Sequence, residues 1–474
     1  MQSTGNPLRV YSLDDLPPEV VAVTFAKTSR SPQSFDEIAR ELTEETSSDF
    51  HEKWVVGYGH SSVAEHASLS IAIENISILG AKVVEGNRLS SFTEKSTRYQ
   101  VMDPANHYTP PCFDRKAGEI YADSISRLYE AYADAYAKAR TFCDSKYEGR
   151  AWRVLGVRPH SKACDAVRGL LPAAAKTNVG WTVNARSLRH AIVKMASHPL
   201  CEIRELGEEL RKVGGERVPT LLRYASATPY LSGWEKRMRA ALGSALPTGG
   251  LPEPGARLVE HDPEGEDAVL ASLLFRATGR SYDELRETLR GVCGEAKREL
   301  LARALDRIGD HDAVVREFEN TGYTFEIVVD FGAYRDIQRH RMSTQTQQLL
   351  GCDLGYTVPD DAREAGLADA MERALDRAAV AWRELVRVDA AHAQYAVPLA
   401  FRKRFLMRMN FREAYYFVRL RSRVEGHESY RRIARAIQRE IEAVHPALGS
   451  LIPVGLVDDD QGAVAASVNE RGAS

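Results

Sequence analysis

Two stretches of the chain alternate apolar and polar residues as a half-buried strand does. One is ASLSIAIENIS, from Ala67 to Ser77; the other is YTFEIVVDFG, from Tyr323 to Gly332. A period of two sends successive side chains to opposite faces of a sheet, so both predict strands. The same order of features follows each. First comes an Arg-bearing segment, ending GNR at Arg88 or RHR at Arg341. Then Tyr and Pro occur together, as HYTPP and GYTVP. Last comes Pro followed by Asn-x-Arg, a stretch read here as helical: Pro172 with Asn184 and Arg186, and Pro398 with Asn410 and Arg412. The Pro-to-Asn spacing is twelve in both halves. Unrelated segments rarely share so long an order, which implies an internal duplication. The first half also holds helix formers such as ISRLYEAYADAYAKART, within an insertion read from Phe113 to Lys162.

Between the halves, residues 241–267 are rich in Gly, Pro and charge and read as a linker. The expected domains are therefore 1–240 and 268–456, with a flexible tail over 457–474. The chain has 474 residues, 44% apolar and 27% charged, as an ordinary soluble globular protein does. Its formal charge of −3 supplies no global field toward nucleic acid or membrane, so any anion site must be local. Six scattered cysteines form no CxxC pair, which argues against a zinc site and for reduced thiols. The start, MQSTGNPLRVYSLDDLPPEV, lacks the basic region and apolar core of a secretion signal, so the expected location is cytoplasmic. No GxxxxGK[ST] or HExxH occurs, so phosphate-loop and zincin chemistry have no support. Taken alone, FRKRFLMRMNFREAYYFVRLR reads equally well as a salt-bridged solvated helix face. His60 and His66, in GHSSVAEHAS, read alone as structural histidines. The ordered recurrence is what favours function.

Those residues resemble the flavin-dependent thymidylate synthases in a tandem, two-copy form. The family's signature is Arg-His-Arg, seven residues, Ser, then x-Arg-Tyr. The first half keeps Arg88, Ser96, Arg98 and Tyr99 but has Gly86 and Asn87 in the triplet. The second half keeps Arg339, His340 and Arg341 but has Leu349 for the Ser and Gly351 for the following Arg. HSSVAEH and WTVNARSL match further family elements. The resemblance implies an α/β (α+β) fold: two domains, each a twisted antiparallel sheet packed with long helices. It implies methylation of dUMP to dTMP with FAD, methylenetetrahydrofolate and NADPH. Other pyrimidine nucleotides (UMP or CMP), or a non-catalytic flavin- and nucleotide-binding remnant, stay open. The family is tetrameric, so two tandem chains are expected to pair into a pseudo-tetramer.

The resemblance also assigns roles. It makes Arg421 catalytic, stabilising negative charge on a uracil ring. It gives dUMP to Glu94, Lys95, Ser96, Thr97, Arg98, Arg168, Gln338 and Arg339. It gives FAD to Ser62, Glu94, Arg339, His340, Arg341, Asn410, Arg412 and Tyr416. Forked guanidinium donors suit the phosphates of both ligands better than lysine would. The retained residues sort between the halves. The first half keeps Glu94, Ser96, Arg98 and Arg168; the second keeps Asp336 to Arg339, Asn410, Arg412 and Arg421. Met195, beside Lys194, stands where the first half would need Arg421's counterpart, and Gln394 stands where the second would need Arg168's. One complete composite site per chain is the expectation, with its mirror lost. No metal is expected.

Overall fold

The structure is a computed structural model and describes residues 9–29, 31–42, 46, 47, 50, 61–242, 252–309 and 311–455. His60, residues 243–251 of the expected linker and the expected tail lie outside them. The chain divides into two compact units, with one boundary at 247/248 inside the expected linker and the others within the first copy. One is Met1–Ile76, Val83–Lys95 and Thr177–Pro247; the other is Ser77–Lys82, Ser96–Lys176 and Thr248–Ser474. The second unit therefore combines the second copy with two segments of the first.

The first unit is built on β1 (Ser68–Ser77), β2 (Ser90–Glu94) and β3 (Lys176–Asn184), in the order β1-β3-β2. β2 runs antiparallel to β3 and sets Phe92 opposite Trp181, with ring centroids 5.7 Å apart. Thr177, Val179, Trp181 and Val183 turn inward along β3 while the residues between them do not. Asn184 ends the strand and caps the helix Ala185–Ala196, its Oδ1 accepting from Ser187 N at 2.8 Å.

The second unit repeats this plan with one more strand. β4 (Gly255–His261), β5 (Gly322–Asp330), β6 (Thr344–Gln347) and β7 (Arg402–Asn410) form an antiparallel sheet in the order β4-β5-β7-β6. β5 lies inside the sheet and is buried almost throughout. β7 buries Lys403, Phe405, Met407 and Met409, the same in-and-out pattern as β3. Asn410 caps the helix Phe411–Arg421 by accepting from Glu413 N at 2.8 Å. Among the described residues no helix is long and apolar enough to cross a membrane.

Three expectations change. The stretches before Asn184 and Asn410 are strands, not helices; their period of two decides this over their arginine content. The expected linker contains β4, because ARLVEH can pair once the edge of β5 is offered to it. The expected insertion is a longer version of an element both copies own. Its 32-residue helix Arg115–Lys146 packs against the 21-residue helix Ala368–Val388.

Within the second unit, segments of the two copies exchange backbone hydrogen bonds reciprocally. Ala173 N donates to Val397 O at 2.9 Å, and Leu399 N donates to Leu171 O at 2.9 Å. Ala174 N donates to Tyr395 O at 3.0 Å, and Ala400 N donates to Gly169 O at 2.9 Å. Pro172 and Pro398 face each other at the centre. Such an exchange is the signature of a two-fold axis, here between duplicated segments of one chain.

Lys403 makes a stability test. It is 5% exposed, with Nζ 5.6 Å and 5.2 Å from the ring centroids of Phe331 and Tyr334. Burial pushes its pKa down to about 8. A lysine with a lowered folded pKa costs stability while it is charged. That cost is full below about pH 8 and fades as pH rises toward the unfolded value. Lys403→Met should therefore raise stability at pH 7 by on the order of 2–3 kcal/mol. Urea melts of both proteins across pH 7 to 10 should show the gain shrinking.

Candidate functional site

In the second copy, β5 runs into the short helix Phe331–Ile337. Asp330 Oδ1 starts that helix by accepting from Ala333 N at 2.8 Å. The helix delivers Arg335 and Asp336, and the turn after it delivers Gln338 to Arg341. In the first copy, Ser77 does the same work, its Oγ accepting from Gly80 N at 2.8 Å before the helix Ile78–Glu85. One topology thus carries both Arg-bearing segments out of a strand end.

Two carboxylates, buried Asp165 and partly buried Asp336, organise the second unit's charges. Asp165 takes Arg98: Nε lies 3.0 Å and 2.9 Å from its two oxygens, and Nη2 lies 2.7 Å from Oδ2. Arg168 Nε lies 3.4 Å from Asp165, and its Nη2 lies 3.6 Å from Asp336. Arg339 and Arg421 approach Asp336 at 3.9 Å and 4.0 Å. Burial alone would raise the pKa of Asp336, but Arg168, Arg421, Arg98 and Arg335 outweigh it and hold the carboxyl well below the usual range. The same contest leaves Asp165 lowered, against burial, by Arg98 and Arg168. Buried His427 faces these groups. Burial first, then Arg168, takes its pKa down to about 4, so it is neutral and accepts from Ser429 N.

Tyr430 joins the two copies' cations. Its hydroxyl accepts from Arg98 Nη1 at 3.3 Å, and its ring lies 5.4 Å from the Arg421 guanidinium. Arg98 Nη2 also donates to Glu425 O at 2.8 Å. The chain passes Tyr430 so closely that a Cβ on Gly426 would sit 2.6 Å from the ring. Arg421 Nε donates to His340 Nε2 at 3.0 Å, and His340 Nδ1 lies 3.0 Å from Glu413 Oε1.

Of the expected residues, this unit gathers Arg98, Arg168, Gln338, Arg339, His340 and Arg421. Ser96 Oγ accepts from Arg98 N at 3.2 Å, and Thr97 Oγ1 accepts from Arg335 Nη1 at 2.9 Å, so both shape the loop. Gln338 Nε2 donates to Lys82 O at 2.8 Å. Arg341 is half-buried and Tyr416 is exposed, its ring 5.7 Å from that of His340. Arg412 donates from Nε to Val314 O and from Nη1 to Glu319, and Asn410 Oδ1 serves as the helix cap. Ser62, Glu94 and Lys95 belong to the other unit, where Ser62 and Lys95 are exposed and Glu94 is half-buried. Tyr430, Asp165 and Glu413 were missed by sequence reasoning. Only Asp165 left a signal, three residues before Arg168 on the same helical turn.

A cavity of about 570 Å³ borders Asn410, Met342, Thr344 and Arg408. A smaller one of about 200 Å³ borders Arg412, Glu413, Tyr416 and Arg419. A family model described as thymidylate synthase complementing protein, Thy1, matches residues 13–220 and again 257–447. The chain belongs to the Thy1 family. It carries the Thy1 domain twice. A "UPF0159 protein" of Chlamydia pneumoniae is 30% identical over 92% of this chain and 90% of its own length. Its counterpart in Chlamydia muridarum is 29% identical over 94% and 91%. A flavin-dependent thymidylate synthase of Clostridium tetani is 28% identical over 44% of this chain and 82% of its own. Among solved structures, a UMP/dUMP methylase from Streptomyces cacaoi matches 41% of this chain and 92% of that one, with TM-score 0.33 and 16% identity.

The two Thy1 copies have diverged at matching positions. In the second copy, Gly351 lies so close to Trp382 that a Cβ would be 2.8 Å from the indole, so the family's arginine has no room there. Gln394 Oε1 accepts from the neighbouring Leu350 N at 2.9 Å. In the first copy, Lys194 Nζ donates to Asn87, and burial lowers the lysine pKa.

Asp336→Asn should test the charge cluster. Breaking a buried ion network leaves its partners uncompensated at a cost of about 3–5 kcal/mol. The carboxylate's contribution should be whole above the ordinary aspartate range and lost only as pH falls well below it, since its folded pKa is lowered. Guanidinium melts at pH 7 should show the loss; a change under about 1 kcal/mol would mean that solvent screens the cluster.

Proposed function

We propose that the protein is a flavin-dependent methylase of a pyrimidine nucleotide, with dUMP converted to dTMP as the leading reaction. The observation that carries this reading is a set of buried polar atoms with no hydrogen bond among the described residues. Among them are Oε1 of Gln338 and Nε and Nη2 of Arg168, whose ion-pair approaches to Asp165 at 3.4 Å and Asp336 at 3.6 Å fall short of hydrogen bonds. Such atoms cost stability unless a ligand answers them. A buried guanidinium edge answers a phosphate, and an amide oxygen answers a ring N–H. Membership of the Thy1 family and the flavin-dependent thymidylate synthase among the relatives support the same reading.

The roles follow from the chemistry of each side chain. Arg168 holds the nucleotide's phosphate, with Arg98 adding positive potential from the same carboxylate. Gln338 orients the pyrimidine. Arg421 stabilises negative charge that develops on the ring, an interaction stronger in the transition state than before it. Asp336 keeps Arg168 and Arg421 in place without being protonated. The residues present fit a flavin in part: Arg339 and Tyr416 are open to solvent, Arg341 lies on the same turn, and the larger cavity lies beside Asn410. Arg412 has Nε and Nη1 engaged with Val314 and Glu319, which leaves Nη2 to face a cofactor. FAD, when bound, would supply hydride for the transferred carbon, with NADPH and methylenetetrahydrofolate as co-substrates. Two chains would pair to give the four-copy assembly of the family.

Product assays with dUMP, UMP and dCMP side by side, on flavin-loaded protein with NADPH and methylenetetrahydrofolate, test the reaction. A methylated product from dUMP is expected; none from any of the three, with no bleaching by NADPH, would leave only a binding role. Arg168→Ala should weaken dUMP binding by about 1.5–3 kcal/mol, roughly ten- to a hundredfold, in a titration. Arg421→Ala should instead remove turnover while nucleotide and flavin binding stay near wild type.

A further inference from the structure

We infer that Glu413 is a positioning residue that fixes the tautomer of His340 and thereby aims Arg421 at the pyrimidine. The inference rests on the reading of Arg421 given above. Arg421 Nε–H donates to His340 Nε2 at 3.0 Å, so Nε2 must be the unprotonated ring nitrogen. The ring's proton then sits on Nδ1, which donates to Glu413 Oε1 at 3.0 Å. All three side chains are largely out of solvent, at 12% for Glu413, 3% for His340 and 13% for Arg421. The relay leaves the terminal nitrogens of Arg421 to face Asp336 on one side, while its guanidinium lies over Tyr430 on the other. A protonated His340 would set an N–H against the N–H of Arg421 and break the chain.

The chain contains its own control. Ser187 stands three residues after Asn184, as Glu413 stands three after Asn410. Both backbone N–H groups make the same cap, at 2.8 Å. Capping therefore does not call for a glutamate. The helix N-terminus favours an acidic group nearby, but it does not require one turned onto an imidazole. Where the first copy has Ser187 it also has Asn87 in place of His340 and Met195 in place of Arg421. Glutamate, histidine and arginine are present together in one copy and absent together in the other. A part of one relay should behave in this way.

The charged and titratable groups facing His340 are Glu413, Arg421 and Tyr416 from the helix Phe411–Arg421, and Arg339 from its own turn. Burial is the largest influence and lowers the imidazole pKa; Arg421 and Arg339 lower it further, while Glu413 raises it. The neutral form therefore persists below the ordinary histidine range.

The test uses full-length, flavin-loaded protein with ¹⁵N-labelled histidine, in wild type, Glu413→Gln and Glu413→Ala. The wild-type His340 signal should be that of the Nδ1–H tautomer. Glu413→Ala should mix the tautomers and lower kcat roughly ten- to a hundredfold, with dUMP affinity and flavin occupancy within about twofold of wild type. Glu413→Gln can still accept from Nδ1–H. It should keep the tautomer, restore most of kcat and move the acid limb of the kcat profile to lower pH, because the influence that raised the pKa is gone. An unchanged tautomer and unchanged kcat in Glu413→Ala would overturn the inference. If wild type turns over none of the nucleotides, the functional reading fails, and the tautomer signal still decides whether Glu413 orients His340.

Discussion

The exchange of backbone hydrogen bonds about Pro172 and Pro398 is the constraint on which the second unit depends. It is built from a proline-containing turn that each copy owns. Proline has no N–H to offer at the centre, so the residues on either side of it do the pairing. Reciprocity fixes the register, because a slip by one residue would break every bond in the exchange. That register brings Arg168, four residues before Pro172, to the helix that ends beside Asp336. The meeting of first-copy and second-copy arginines is thus a consequence of main-chain geometry.

Bringing so many guanidinium groups together would be prohibitive without anions. Asp165 and Asp336 provide them, one from each copy. Each is strongly held in its charged form despite burial. An arrangement of this kind is costly in desolvation and gives little net stability over an apolar core. On the function proposed above, its value lies in presenting a fixed positive field to a charged substrate.

On the function proposed above, duplication followed by divergence explains the asymmetry. A single-copy protein that builds its site from two chains must keep every residue in every chain. A tandem chain can give each role to one copy. The second copy has filled its spare loop position with Trp382 against Gly351, and the first has replaced its histidine and arginine by Asn87 and Met195. These positions have settled into packing.

Several features were legible in the residues alone. The alternation in ASLSIAIENIS and YTFEIVVDFG determined β1 and β5, because a period of two suits only a pleated strand. The recurring order of strand, arginines, proline and Asn-x-Arg determined the duplication. Arg402 to Asn410 was legible only in part. Its arginines suggested a helix, but its apolar positions alternate, and the neighbouring edge of β5 made it a strand. Residues 255–261 became a strand for the same reason, since an edge supplies the hydrogen bonds that a short polar-flanked segment cannot make itself. The division into units, the carboxylates that gather the arginines and the Glu413–His340–Arg421 relay were decided by tertiary structure. They join residues tens to hundreds of positions apart, and no local period or spacing records which buried charge will meet which.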